Sequence, residues 1–86
     1  MMVAFAPQAW DDFRHWLDSD IKQGKKIAKL IEAITRDPYE GIGQPELLKN
    51  ELQGYWSRRI NSEHRLVYKV VDDLLIIKQC RYHYQK

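Results

Sequence analysis

The chain has 86 residues, with 14 Lys and Arg against 12 Asp and Glu, a net charge of +2 and one cysteine. That length accommodates a single small domain over residues 1–86 and excludes a cofactor-binding sheet with a separate substrate domain. At 44% apolar and 30% charged the composition is that of a folded chain, not a disordered one, and no apolar run approaches the ~20 residues of a membrane helix.

The first ten residues lack the basic start and continuous apolar stretch of a secretory signal. Met2–Ala6 reads as a short strand. Pro7 suits the first turn of a helix, where its missing N–H has no intrahelical partner to lose, although Ala6 before it is a poor cap. Trp10, Phe13 and Leu17, extended by Ala6 and Ala9, predict one apolar face of a helix over residues 8–18. Asp18, Ser19 and Asp20 offer capping oxygens to a second helix. Its apolar face is Ile27, Leu30, Ile31 and Ile34, and Lys22, Lys25, Lys26 and Lys29 crowd the others. Gly24 in its interior costs about 1 kcal/mol relative to Ala. The Asp37-Pro38 step ends it, because a residue before proline avoids helical geometry.

Residues 37–54 form a connector with Gly41, Gly43, Pro45 and Gly54, and a helical turn is expected around Glu46–Leu48. Ordered loops of this length in small domains often have a function. Three strands follow: Tyr55–Ile60, then Arg65–Val71 after a turn at residues 61–64, then Leu74–Arg81 after an Asp72-Asp73 hairpin loop. With that loop, Val71 faces Leu74 and Arg65 faces Cys80. Leu66, Tyr68, Val70, Leu75 and Ile77 then share the face that packs on the helices. Arg65, Lys69 and Lys78 share the other with Val67, Ile76 and Cys80. A one-residue slip in the first hairpin exchanges Arg58 and Arg59 between faces. The expected fold is α+β, two N-terminal helices on one face of a small, mainly antiparallel sheet whose other face is basic and uncovered.

The charge is unevenly distributed. Residues 1–20 hold four acids and one base, 21–36 five bases and one acid, 37–54 four acids and one base, and 55–86 seven bases and three acids. A near-neutral total thus contains two basic blocks, which suit either solvated faces or phosphate binding. A loop glutamate such as Glu46 is ordinarily surface, but beside a basic sheet it is placed to act as a general base. Arg58, Arg59 and Arg65 flank the first hairpin. Edge-strand charge discourages sheet-to-sheet aggregation, and the guanidinium fork also suits phosphate. Arg81-Tyr82-His83-Tyr84 closes the chain. Histidine ordinarily titrates near neutrality and can give up a proton there, and tyrosines can stack on bases. His15 and His64 read as surface or packing residues, and the three tryptophans as core or interface. Cys80 reads as an inert buried thiol. Being alone, it cannot form an intrachain disulfide, which points to a reducing, cytoplasmic setting. No spacing of His, Asp and Glu resembles a metal site, and no cofactor is expected. Glutamate, arginine and histidine together fit RNA cleavage. A carboxylate takes the 2′-hydroxyl proton, arginine stabilises the pentavalent phosphate, and histidine protonates the leaving 5′-oxygen.

Several stretches together are recognisable. They are Trp10-Asp11-Asp12-Phe13, Asp37-Pro38-Tyr39-Glu40-Gly41, Pro45-Glu46, Tyr55-Trp56-Ser57-Arg58-Arg59-Ile60, Glu63-His64-Arg65-Leu66-Val67-Tyr68 and Cys80-Arg81-Tyr82-His83-Tyr84. The chain resembles, over essentially its whole length, the YoeB-type toxins of the RelE/ParE superfamily. The resemblance implies an mRNA interferase, the toxin of a type II toxin–antitoxin pair, which cuts mRNA in the A site of the 70S ribosome and leaves a 2′,3′-cyclic phosphate. It implies Glu46 as general base, Arg65 as transition-state arginine, His83 as general acid and Tyr84 as the terminal active-site tyrosine. Lys49 and Arg59 match supporting phosphate contacts, and Arg58 and Arg81 stand on or beside the site as RNA-binding candidates. The implied partners are mRNA, rRNA and a YefM-type antitoxin, and homodimers occur in the family. Ile42 and Gln44 replace lysines that the family often has in the connector. The alternative is a non-catalytic inhibitor on the same fold, acting on a target such as gyrase, against which Glu46 and His83 argue.

Overall fold

The computed structural model describes residues 1–83. Strand β1 (Met2–Phe5) leads into helix α1 (Pro7–Ser19) and helix α2 (Ile21–Arg36). Strands β2 (Glu46–Leu47), β3 (Trp56–Arg59), β4 (Arg65–Val71) and β5 (Leu74–Gln79) follow, with a 3-10 turn at Asn50–Leu52. They form one sheet in the order β1-β5-β4-β3-β2. All pairings are antiparallel except β1 on β5, so the expected α+β architecture holds. No helix among the described residues is long and apolar enough to cross a membrane.

Pro7 stands at the start of α1, and Ala6 before it provides no side-chain cap. The buried face of α1 differs from the expected one. Ala9, Asp12 and Trp16 are buried, Phe13 is half-buried, and Trp10 and Leu17 are 48% and 42% exposed. The helix is rotated by one residue because Asp12 can be satisfied inside. Its Oδ2 accepts the Cys80 N–H at 3.0 Å and its Oδ1 the Gln8 amide at 2.8 Å. Helix α2 buries Ile27, Leu30 and Ile34 as its pattern predicts. The expected side-chain cap at residues 18–20 does not form; the Ser19 hydroxyl instead donates to the His15 carbonyl at 2.6 Å. Gly24 is buried at the crossing of the two helices, where an added Cβ would stand 3.0 Å from Leu17 Cδ2. The close approach explains a residue that costs helix stability.

The principal core joins Ala9, Trp16, Ile27, Leu30 and Ile34 to Leu66, Tyr68, Leu75 and Ile77 of the sheet. The hairpin loop at Asp72-Asp73 is as expected, with Val71 opposite Leu74. The register slips between Val67 and Tyr68, so Val67 opposes Gln79. This irregularity corrects the predicted pairing of Arg65 with Cys80 and turns Cys80 into the core, as an extra residue in one strand reverses every later side chain. Two further expectations change. Glu46–Leu47 is an edge strand on β3, not a helical turn, and the turn comes later at Asn50–Leu52. The outer face is also partly covered, since Leu48, Leu52 and Tyr55 pack on Val67.

Candidate active site

The register of the first hairpin, open in the sequence, is Arg58 opposite Leu66 and Arg59 opposite Arg65. Directly opposed residues share a face. Arg58 therefore lies on the core side with Leu66, and it is fully buried. Its Nε donates to the Tyr68 hydroxyl at 3.1 Å. Nη1 donates to the Ile42 carbonyl at 3.2 Å, and Nη2 to the Asp37 and Glu40 carbonyls at 2.6 and 3.0 Å. The Tyr68 hydroxyl donates in turn to the Pro38 carbonyl at 2.6 Å. The connector is thus wound around one guanidinium. Gly43 permits this winding: at φ +84 it sits where a Cβ would meet Leu30 Cδ2 at 2.8 Å and Arg58 Cβ at 3.1 Å. Arg58, expected from the sequence as a phosphate contact, has no surface to offer one in this arrangement.

The opposite face gathers the other candidates. Glu46 opposes Ser57, Ser57 opposes Val67, and Arg59 opposes Arg65, so Glu46, Arg59 and Arg65 lie on one face. Glu46 and Arg65 are separated by two strand spacings and two residues along β4, about 12 Å between Cα atoms in an ideal sheet. Glu46, Lys49 and Arg59 are exposed and Arg65 is 8% exposed. Arg65 Nη1 donates to the carbonyls of Asn61, Ser62 and His64 at 2.9, 3.4 and 3.1 Å. These bonds lay the side chain over the turn that precedes β4. Asn61 shapes that turn, its Oδ1 accepting the Glu63 and His64 N–H groups at 2.9 and 2.8 Å. Farther along the face, Lys69 and Lys78 stand over the Tyr55 ring, 4.8 and 5.4 Å from its centroid, a cation–π arrangement.

After β5 ends, the C-terminal segment passes beside α1 and the start of β4. Cys80 is held by its backbone: its N–H donates to Asp12, and its carbonyl accepts Trp16 Nε1 at 2.7 Å. Beyond it, the Arg65 N–H donates to the Tyr82 carbonyl at 3.0 Å. His83 is exposed at the edge of a groove of about 410 Å³ lined by Gln8, Asp12, Gln79, Arg81, Tyr82 and His83. The Arg81 guanidinium lies 4.6 Å from the Tyr82 ring centroid. Tyr84 lies outside the described residues. Glu46, Arg59 and Arg65 therefore share one face, Tyr82 is tied by its backbone to Arg65 at the start of β4, His83 borders the groove beside α1, and Arg58 faces away. Asp12 and Trp16 were missed as positioning groups, because the stronger Trp10, Phe13 and Leu17 stripe hides their helix positions. Among the described residues no group of three His, Cys, Asp or Glu could hold a metal ion.

Burial, reinforced by the Asp12 carboxylate, pushes the Cys80 thiol from 9.0 up to about 12. Only the thiolate is reactive, so Cys80 in the native protein should resist a disulfide reagent at pH 8 and react once urea unfolds the chain. Rapid labelling under native conditions would contradict the buried placement. The raised pKa favours the folded state fully below pH 9, and this contribution is lost as pH rises toward 12.

A family model described as the YoeB-like toxin of bacterial type II toxin–antitoxin systems matches residues 5–84. The Streptomyces coelicolor protein named toxin YoeB is 55% identical over 84 residues, covering 98% of this chain and all of that protein. The solved structure of a YoeB/ParE toxin from Agrobacterium tumefaciens superposes with a TM-score of 0.95 at 43% identity, covering 98% of this chain and 100% of that one. A toxin chain in the heterotetrameric YoeB–YefM complex of Staphylococcus aureus superposes at 0.90 with 49% identity, covering 98% of each chain.

Proposed function

This chain belongs to the YoeB-like toxins of bacterial type II toxin–antitoxin systems, and on that premise we propose that it is an endoribonuclease that cuts mRNA in the ribosomal A site. The supporting observation is the shared face of Glu46, Arg59 and Arg65, with the backbone of Tyr82 tied to Arg65 beside His83. A Cα separation of about 12 Å leaves a phosphodiester room between side chains of this length. Glu46 removes the proton from a ribose 2′-hydroxyl. The 2′-oxygen attacks the adjacent phosphorus, and Arg65, assisted by Arg59 and Lys49, stabilises the charge that grows on the phosphoryl oxygens. The bond to the 5′-oxygen breaks, and His83 delivers the proton that oxygen takes up. The products are a 2′,3′-cyclic phosphate and a 5′-hydroxyl. Arg81 contributes to RNA binding and Tyr84 completes the terminal pair, whereas Arg58 is assigned to the interior.

The S. aureus toxin chain is found in complex with YefM. We extend this to a YefM-type antitoxin here, with an acidic, flexible segment that orders over the face of Arg59, Arg65, Lys69 and Lys78. The ribosome as target puts the action in the cytoplasm.

In a translation reaction read by primer extension, wild-type protein should give cuts within the message and His83→Ala none. Cuts should need ribosomes and disappear with a 2′-deoxy substitution at the cut site. Equally intact mRNA with both proteins would overturn the reading, and gyrase supercoiling blocked at stoichiometric toxin would replace it with the non-catalytic alternative.

A further inference from the structure

His83 sits on a segment that has left the sheet, since β5 ends at Gln79. Its neighbour Tyr82 has φ +64, a left-handed conformation that a non-glycine residue adopts only against steric resistance from its Cβ. Specific contacts must therefore hold it. One is the bond from the Arg65 N–H to the Tyr82 carbonyl. The other is a 2.7 Å hydrogen bond from the Tyr82 N–H to Nδ1 of His64. The imidazole is itself fixed between two rings. It meets Trp16 edge-on, with centroids 4.8 Å apart and planes at 81°, and it lies 6.0 Å from the Tyr82 ring. Trp16 in turn bonds the Cys80 carbonyl. One half-buried histidine thus joins α1, the turn before β4 and the departing tail.

We propose that His64 is a positioning residue for the cleavage reaction: its Nδ1 latches the Tyr82 backbone in the turned conformation that sets His83. The inference rests on the reading of His83 as general acid. The latch needs Nδ1 without a proton, because only the unprotonated ring nitrogen accepts a hydrogen bond. A histidine that merely filled space would need its ring and not its acceptor.

Two substitutions separate these roles. His64→Asn places a side-chain oxygen close to the position of Nδ1 and removes the ring. His64→Phe keeps the ring and removes the acceptor. Exchange of the Tyr82 amide, followed by NMR, should stay slow in His64→Asn and become fast in His64→Phe. Single-turnover cleavage on programmed ribosomes should keep most of its rate in His64→Asn. In His64→Phe it should fall by up to about 10²-fold, the usual cost of a misplaced group, with KM within about twofold. The opposite ranking, or a protected amide with full cleavage in His64→Phe, would overturn the latch. Fast exchange with an unchanged rate would overturn its role in setting His83. If the wild-type protein cuts no mRNA, the functional reading fails, and amide exchange alone still decides whether His64 holds the tail.

Discussion

Glu46→Gln should slow single-turnover mRNA cleavage on the ribosome by about 10²–10⁴-fold, the usual contribution of a positioned general base. The substitution is nearly isosteric and keeps a hydrogen-bonding side chain at an exposed position of the two-residue edge strand, so the thermal midpoint should move by no more than a few degrees. Arg65 has a structural part as well, since its Nη1 bonds three carbonyls of the turn before β4. Arg65→Ala should cost about 10²–10³-fold and lower the midpoint as well. Groups that act on one transition state lose their effects together. The double variant should then be scarcely slower than the slower single variant. A Glu46→Gln rate within a few-fold of wild type would remove Glu46 from the mechanism.

Arg58→Ala should destabilise the fold by about 3–5 kcal/mol, measured from the urea midpoint. An 86-residue chain has only about 4–13 kcal/mol in all, so much of the variant should be unfolded at 37 °C. The cost comes from what is left behind: three connector carbonyls and the Tyr68 hydroxyl lose a buried donor. Apolar replacement by Met fills the space and leaves the same acceptors unpaired, so it should rescue little. Tyr68→Phe removes one link of the same network and should cost about 1–3 kcal/mol. A loss below about 1 kcal/mol for Arg58→Ala would mean that the connector is held by something else.

The sequence read well where periodicity and local chemistry decide. Ile27, Leu30 and Ile34 recur at helical spacing and are buried as predicted. Pro7 and the Asp72-Asp73 loop stand where turn chemistry puts them. Failures came where a polar group is satisfied over a distance. Asp12 looks like a surface residue until its carboxylate meets the Cys80 amide, 68 positions away in the chain. Arg58 and Arg59 are adjacent and chemically equal, and only strand register sends one inward and the other outward. The slip at Val67/Tyr68 has no marker in composition, yet it decides the face of Cys80. The resemblance singled out Glu46, Arg65 and His83. The convergence of Glu46 and Arg65 on one face depends on β2 pairing with β3, which an expected helical turn at Glu46 did not anticipate.

The pairing of β1 with β5 bears on when the fold can close. The first of the described strands pairs with the last of them, and β5 also supplies Leu75 and Ile77 to the principal core. Until β5 has been synthesised, β1 has no neighbour in the sheet and the core lacks one wall. Such non-local pairing forms late and slowly. The sheet is therefore completed only once β5 is available to pair with β1, whatever the local strands and helices have already formed.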